Sequence, residues 1–137
     1  MPVWQALYGE LKDKGFMVVA VAEESRGAEH ARPWIEQAKS SYWQLIDTDH
    51  RLSDLYNLVN VPQAIWIDEQ GRIVRPAETA GSHDGWRSMD RASRTMTDDV
   101  TRLMEQAKKT YLDAVRDWAI HGAASRHAFD PAAARAH

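Results

Sequence analysis

The first hydrophobic positions fall on helical spacing. Trp4, Leu7, Tyr8 and Leu11 stand at i, i+3, i+4 and i+7 and form one apolar stripe. Pro2 suits a first helical turn, and Lys14-Gly15 supplies a stop. Phe16 to Ala22 (FMVVAVA) is a short continuous apolar run rich in valine. Its length and composition predict a strand buried on both faces, as in a parallel sheet. Glu23 to Gly27 reads as a loop, and Ala28 to Lys39 as a helix whose start is limited by Pro33. Trp43 to Ile46 predicts a second strand, closing at Asp47-Thr48-Asp49. Leu52, Leu55, Tyr56 and Val59 return to helical spacing over His50 to Val59, until Val61-Pro62 interrupts. Gln63 to Ile67 (QAIWI), the turn Asp68 to Gly71 and Arg72 to Arg75 (RIVR) then read as a β-hairpin.

Residues 81–94 are polar and loop-like, and the longest helix follows within 95–122. Thr97 is its expected cap, with Asp98 and Asp99 in the first turn, where the helix dipole favours acid. Val100, Leu103, Met104, Ala107, Tyr111, Ala114, Val115 and Trp118 form its apolar stripe, and His121-Gly122 ends it. Residues 123–137 read as a flexible tail, rich in alanine beyond Pro131. Alternating helix and strand over the first 80 residues argue for an α/β fold with helices on the sheet faces. The long helix is expected to cover the sheet of its own domain, and its stripe could instead pair with a second copy.

Composition narrows the chemistry. The 137 residues carry 17 basic and 20 acidic side chains, a net charge of −3, which gives no support to nucleic acid or an anionic membrane as main partner. The chain has no cysteine, so disulfides, thiolate nucleophiles and zinc-thiolate or iron–sulfur sites are excluded for its own residues. No apolar run is long enough to suggest a membrane span, and the first residues do not resemble a signal peptide. His30, His50, His83, His121, His127 and His137 show no ligand-type spacing, so neither they nor Asp47 and Asp49 are assigned to a metal. Ser82-His83-Asp84 has the residue types of a hydrolase triad, but adjacent residues do not normally build that geometry. Of six tryptophans, Trp4, Trp66 and Trp118 sit where core packing explains them. Trp34 and Trp86 are the candidates for an exposed aromatic platform.

The stretch LYNLVNVPQAIWIDEQGRIVR (Leu55 to Arg75) resembles the second half of a thioredoxin-like redoxin of the TlpA/ResA type. These are relatives of the alkyl hydroperoxide reductase/thiol-specific antioxidant group. The opening MPVWQALYGELKDKGFMVVAVAEE (Met1 to Glu24) is similar to the helix and strand that follow the redox motif in that family. The resemblance implies a thioredoxin-like core over 1–80 that lacks its first strand, followed by the loop at 81–94 and the C-terminal helical extension. In the family a Cys-x-x-Cys motif caps the first helix; here that position would fall upstream of Met1, so no catalytic residue carries over. Only Val61-Pro62 matches a functional feature. The resemblance implies a cis bond there and a Val61 backbone able to pair with an extended peptide.

Two functions from different classes follow from that resemblance. In one, the chain is the C-terminal part or remnant of a thiol–disulfide oxidoreductase, inactive in redox chemistry with the residues given. In the other, it is a non-catalytic thioredoxin-like module for binding or scaffolding through the Val61-Pro62 face. Neither reading calls for a cofactor or a metal. Both leave room for a protein or peptide partner and for self-association, because strands short of a neighbour promote it. With no export signal the default expectation is cytoplasmic, although members of the family are often envelope proteins.

Overall fold

The structure is a computed structural model and describes residues 2–137, with the side chains of Pro2 and Trp86 left aside. It is a chain of mixed helix and strand with a long C-terminal helix. It forms two compact units that meet in sequence at Val59 and Asn60.

The first unit opens with helix α1 (Pro2–Leu11), extended by a 3-10 turn over Lys12–Lys14 and closed by Gly15 at φ +80°. Leu7 and Leu11, two members of the predicted stripe, are fully buried. Strand β1 (Val19–Glu23) and strand β2 (Trp43–Asp47) pair in parallel, joined through helix α2 (Ala28–Ala38). That is a β–α–β crossover of the kind the alternating pattern predicts. Helix α2 contains Pro33 as its sixth residue, so the helix begins upstream of the proline and forgoes one main-chain bond there. Helix α3 (Arg51–Tyr56) is shorter than the spacing suggests, because Asn57 turns left-handed and ends it. Side chains reinforce the unit: Gln5 donates to Ser41 Oγ at 2.9 Å and accepts from the Ser41 N–H at 2.7 Å. Tyr8 and buried Tyr42 meet edge to face at 5.8 Å.

One expectation fails here. The run at 16–22 predicts a strand buried on both faces, yet no residue of β1 is fully buried. Paired residues of a parallel ladder share a face, so Val19 and Trp43 lie side by side, as do Val21 and Leu45. Val19 is 54% exposed, Trp43 63% and Leu45 48%. Continuous hydrophobicity marks a strand able to be covered twice; the two-stranded ladder supplies no such cover for this face.

The second unit is built on an antiparallel hairpin, strands β3 (Ala64–Ile67) and β4 (Ile73–Glu78). Asp68 organises its turn: Oδ1 accepts from the N–H groups of Gln70 and Arg72, and Gly71 adopts φ +76°. Strand β4 continues through Pro76, and the pairing register shifts twice along β3. Helix α4 (Asp98–His121) follows, capped by Thr97, whose hydroxyl accepts from the Val100 N–H. Tyr111, Ala114 and Val115 of α4 are buried with Trp66 and Val74 of the hairpin. Trp118 stacks on Trp66 at 5.0 Å with planes 21° apart.

Residues 123–137, read from the sequence as a flexible tail, include a short helix α5 (Pro131–Ala136). Asp130 caps it, accepting from the Ala132 and Ala133 N–H groups at 2.8 Å. The Phe129 N–H bonds the Val74 carbonyl at 2.7 Å, which attaches this segment to the outer edge of β4. No helix among the described residues is long and apolar enough to cross a membrane.

Candidate functional site

The Val61-Pro62 peptide bond is cis. Val61 is 65% exposed, and Pro62 is exposed beside it. The step leads directly into β3, through Gln63. The Gln63 amide donates to Asn60 Oδ1 at 3.3 Å, while its own carbonyl oxygen is buried and accepts nothing among the described residues. A buried acceptor without a donor is uncommon and calls for an explanation.

The hairpin has two edges, and the fold treats them differently. Beyond β4 the Phe129 N–H takes the Val74 carbonyl, and α5 packs alongside. Beyond β3 no strand pairs among the described residues. Val61 and Pro62 therefore lead into a strand that pairs on one side only among the described residues, and unpaired strand edges are where extended segments commonly add.

A second polar cluster lies at the carboxyl ends of the parallel strands of the first unit, the end at which α/β sheets commonly hold ligands. The Glu23 side chain is only 10% exposed; Oε2 meets His50 Nδ1 at 2.9 Å, and Oε1 has no hydrogen-bond partner among the described residues. Asp47, cross-strand from Glu23, accepts from the Leu52 N–H at 2.6 Å. That bond, with weaker ones from Arg51 and Asp49 and the nearby His50, holds the Asp47 carboxyl below its usual range. Glu24 is drawn down to about 2, chiefly by the Arg26 side chain and then by its main-chain N–H. The sequence gives no sign of the Glu23–His50 pair, because the two are brought together by the crossover and not by local spacing.

The remaining candidates are dispersed. Among the described residues no three His, Asp or Glu side chains are arranged to hold a metal ion. In Ser82-His83-Asp84, His83 Nδ1 accepts from the Gly85 N–H at 3.1 Å and Asp84 pairs with Arg87, so the three do not form a relay. Trp66 is buried and Trp34 is exposed, whereas the Trp86 side chain lies outside the described residues. Trp43, whose position in the sequence marks only a strand, is also widely exposed. Searches of family models, curated proteins and solved structures give no match to this chain.

Proposed function

We propose that this chain is a thioredoxin-like binding module that performs no dithiol chemistry with its own residues and takes an extended peptide beside Val61 and Pro62. The observation that carries this reading is the asymmetry of the hairpin: the β4 edge is occupied, while the β3 edge, entered through exposed Val61 and Pro62, is open. The absence of cysteine rules out thiolate attack by this chain itself.

The test is a titration of the isotopically labelled chain with an end-capped peptide of alternating threonine and valine, followed by amide chemical shifts. The expected result is saturable change concentrated at Gln63, Ala64 and Ile65, weakened by Val61→Asp. Changes spread elsewhere, or insensitivity to Val61→Asp, would sink the reading. The alternative, a C-terminal part of a thiol–disulfide oxidoreductase, is decided by the coding frame upstream of Met1. An in-frame strand ending in Cys-x-x-Cys supports it, and an immediate stop codon removes it.

A further inference from the structure

We propose that His50, backed by Glu23, is a nucleophilic imidazole that accepts acyl groups from uncharged activated esters. The pair lies wholly within the first unit, at the carboxyl ends of β1 and β2, the end of a parallel sheet where ligands commonly bind.

The pair is asymmetric. The Glu23 side chain is 10% exposed and that of His50 46%, and Oε2 meets Nδ1 at 2.9 Å. A carboxylate only accepts, so the proton in that bond belongs to Nδ1. The neutral ring then carries its lone pair on Nε2. Nε2 has no hydrogen-bond partner among the described residues.

Main chain sets where the imidazole stands. His50 adopts a left-handed conformation, φ +55° and ψ 28°, which is uncommon for a residue with a side chain. Its carbonyl accepts from the Asp54 N–H at 3.0 Å, and Asp47 Oδ2 takes the Leu52 N–H. Glu23 then sets how the ring is turned. Conformations of this kind, held by their surroundings, gather at functional sites.

The carboxylates around the ring are not equivalent. Glu24 is paired with Arg26, Asp49 with Arg51, and Asp47 with the Leu52 N–H. Glu23 bonds His50 through one oxygen, and its other oxygen has no hydrogen-bond partner among the described residues. Its charge is therefore directed at one group. Positive charge grows on the ring as Nε2 attacks, and a poorly solvated carboxylate on Nδ1 stabilises that charge more than it stabilises the neutral ring.

The same carboxylates choose the electrophile. An anionic donor, such as a phosphoryl group, would meet Glu23, Glu24, Asp47 and Asp49 against two arginines that are each already paired. An uncharged acyl donor meets no such barrier. In the reaction the Nε2 lone pair forms a bond to the acyl carbon, the ester C–O bond breaks, and the leaving phenolate takes the electron pair. The Nδ1 proton passes to solvent, which leaves a neutral acylimidazole. Water then cleaves the new C–N bond, releases the acid and restores His50.

The experiment applies diethyl pyrocarbonate, an uncharged acyl donor, to the full chain. Peptide mapping by mass spectrometry gives a rate for each of the six histidines. The expected result is that His50 reacts about tenfold faster than the mean of the other five. Glu23→Gln keeps an acceptor for Nδ1 and removes its charge. It should slow His50 by about tenfold and leave the other five unchanged, whereas a disturbed fold would move all six. Release of nitrophenolate from 2-nitrophenyl acetate should fall about tenfold in His50→Gln. With each rate taken relative to free imidazole, the anionic ester 4-acetoxy-3-nitrobenzenesulfonate should react at least about threefold more slowly than the uncharged one. A His50 no faster than the other histidines would overturn the proposal, and that comparison needs only the wild type. So would a His50 rate untouched by Glu23→Gln, or equal relative rates for the two esters.

Discussion

Trp66 and Tyr111 are joined twice: the indole N–H donates to the tyrosine hydroxyl at 2.8 Å, and the rings meet edge to face at 5.9 Å. Both side chains are buried, one from the hairpin and one from α4, so this contact fastens sheet to helix in the second unit. Tyr111→Phe keeps the ring and removes the acceptor. A buried indole N–H left unpaired costs about 1–3 kcal/mol. Urea unfolding should show a loss in that range, with far-ultraviolet circular dichroism unchanged in the folded state. A loss below a few tenths of a kcal/mol would show that the N–H finds another partner.

Alkaline pH acts on the same residue. Burial, the largest influence, together with the nearby Glu78 charge outweighs the Trp66 bond and Arg75, and pushes the Tyr111 hydroxyl up to about 12. A group that loses its proton less readily when folded stabilises the fold in full below its unfolded pKa. That contribution is lost as pH rises through the folded value. Stability should therefore fall between about pH 10 and pH 12, and Tyr111→Phe should flatten this limb. Thermal melts across that window, with tyrosinate absorbance followed in parallel, measure both.

Two glycines separate backbone strain from crowding. Gly15 and Gly81 have similar φ angles, +80° and +75°, but a Cβ on Gly15 meets nothing within 4 Å, whereas on Gly81 it meets α4. Gly15→Ala should cost about 1–2 kcal/mol, the left-handed penalty alone. Gly81→Ala should cost that and about 1–3 kcal/mol more, because an extra methyl must displace Tyr111 and helix backbone. Denaturant midpoints of the two variants provide the comparison, and equal losses would refute the crowding argument.

The uncovered face of the β1–β2 ladder makes a prediction about association. Val19, Trp43 and Leu45 form a contiguous apolar surface on a two-stranded ladder whose outer edges pair with no strand among the described residues. Sedimentation of the chain should show mass increasing with concentration. Leu45→Lys with Trp43→Lys should restore a constant mass with a stability change of about 0.5 kcal/mol or less. A monomer at all concentrations, or association untouched by the double substitution, would count against this face.

How far the sequence was legible depended on how local each cause is. Helix α4 could be read because Thr97, Asp98 and the stripe from Val100 to Trp118 lie on one element. The hairpin turn could be read because the Asp68 carboxylate and Gly71 act within five residues of chain. The apolar pattern of the return strand ends at Arg75, yet β4 runs on through Pro76 to Glu78 with a shifted register. The Arg75 position could not be foreseen, since its two ring neighbours, Trp66 and Phe129, come from β3 and from the segment after α4. The exposure of β1 was equally hidden: a valine-rich run states an affinity for cover, and only the assembled fold shows whether cover is there.

The attachment of Phe129 to Val74 changes what the last residues are for. Removing 125–137 would not trim slack chain. It would take away the N–H that closes β4, one of the two rings that clamp Arg75, and the carbonyl that anchors its Nη1. The hairpin would then be open along both sides, and a site that discriminates one edge from the other would lose the means to do so.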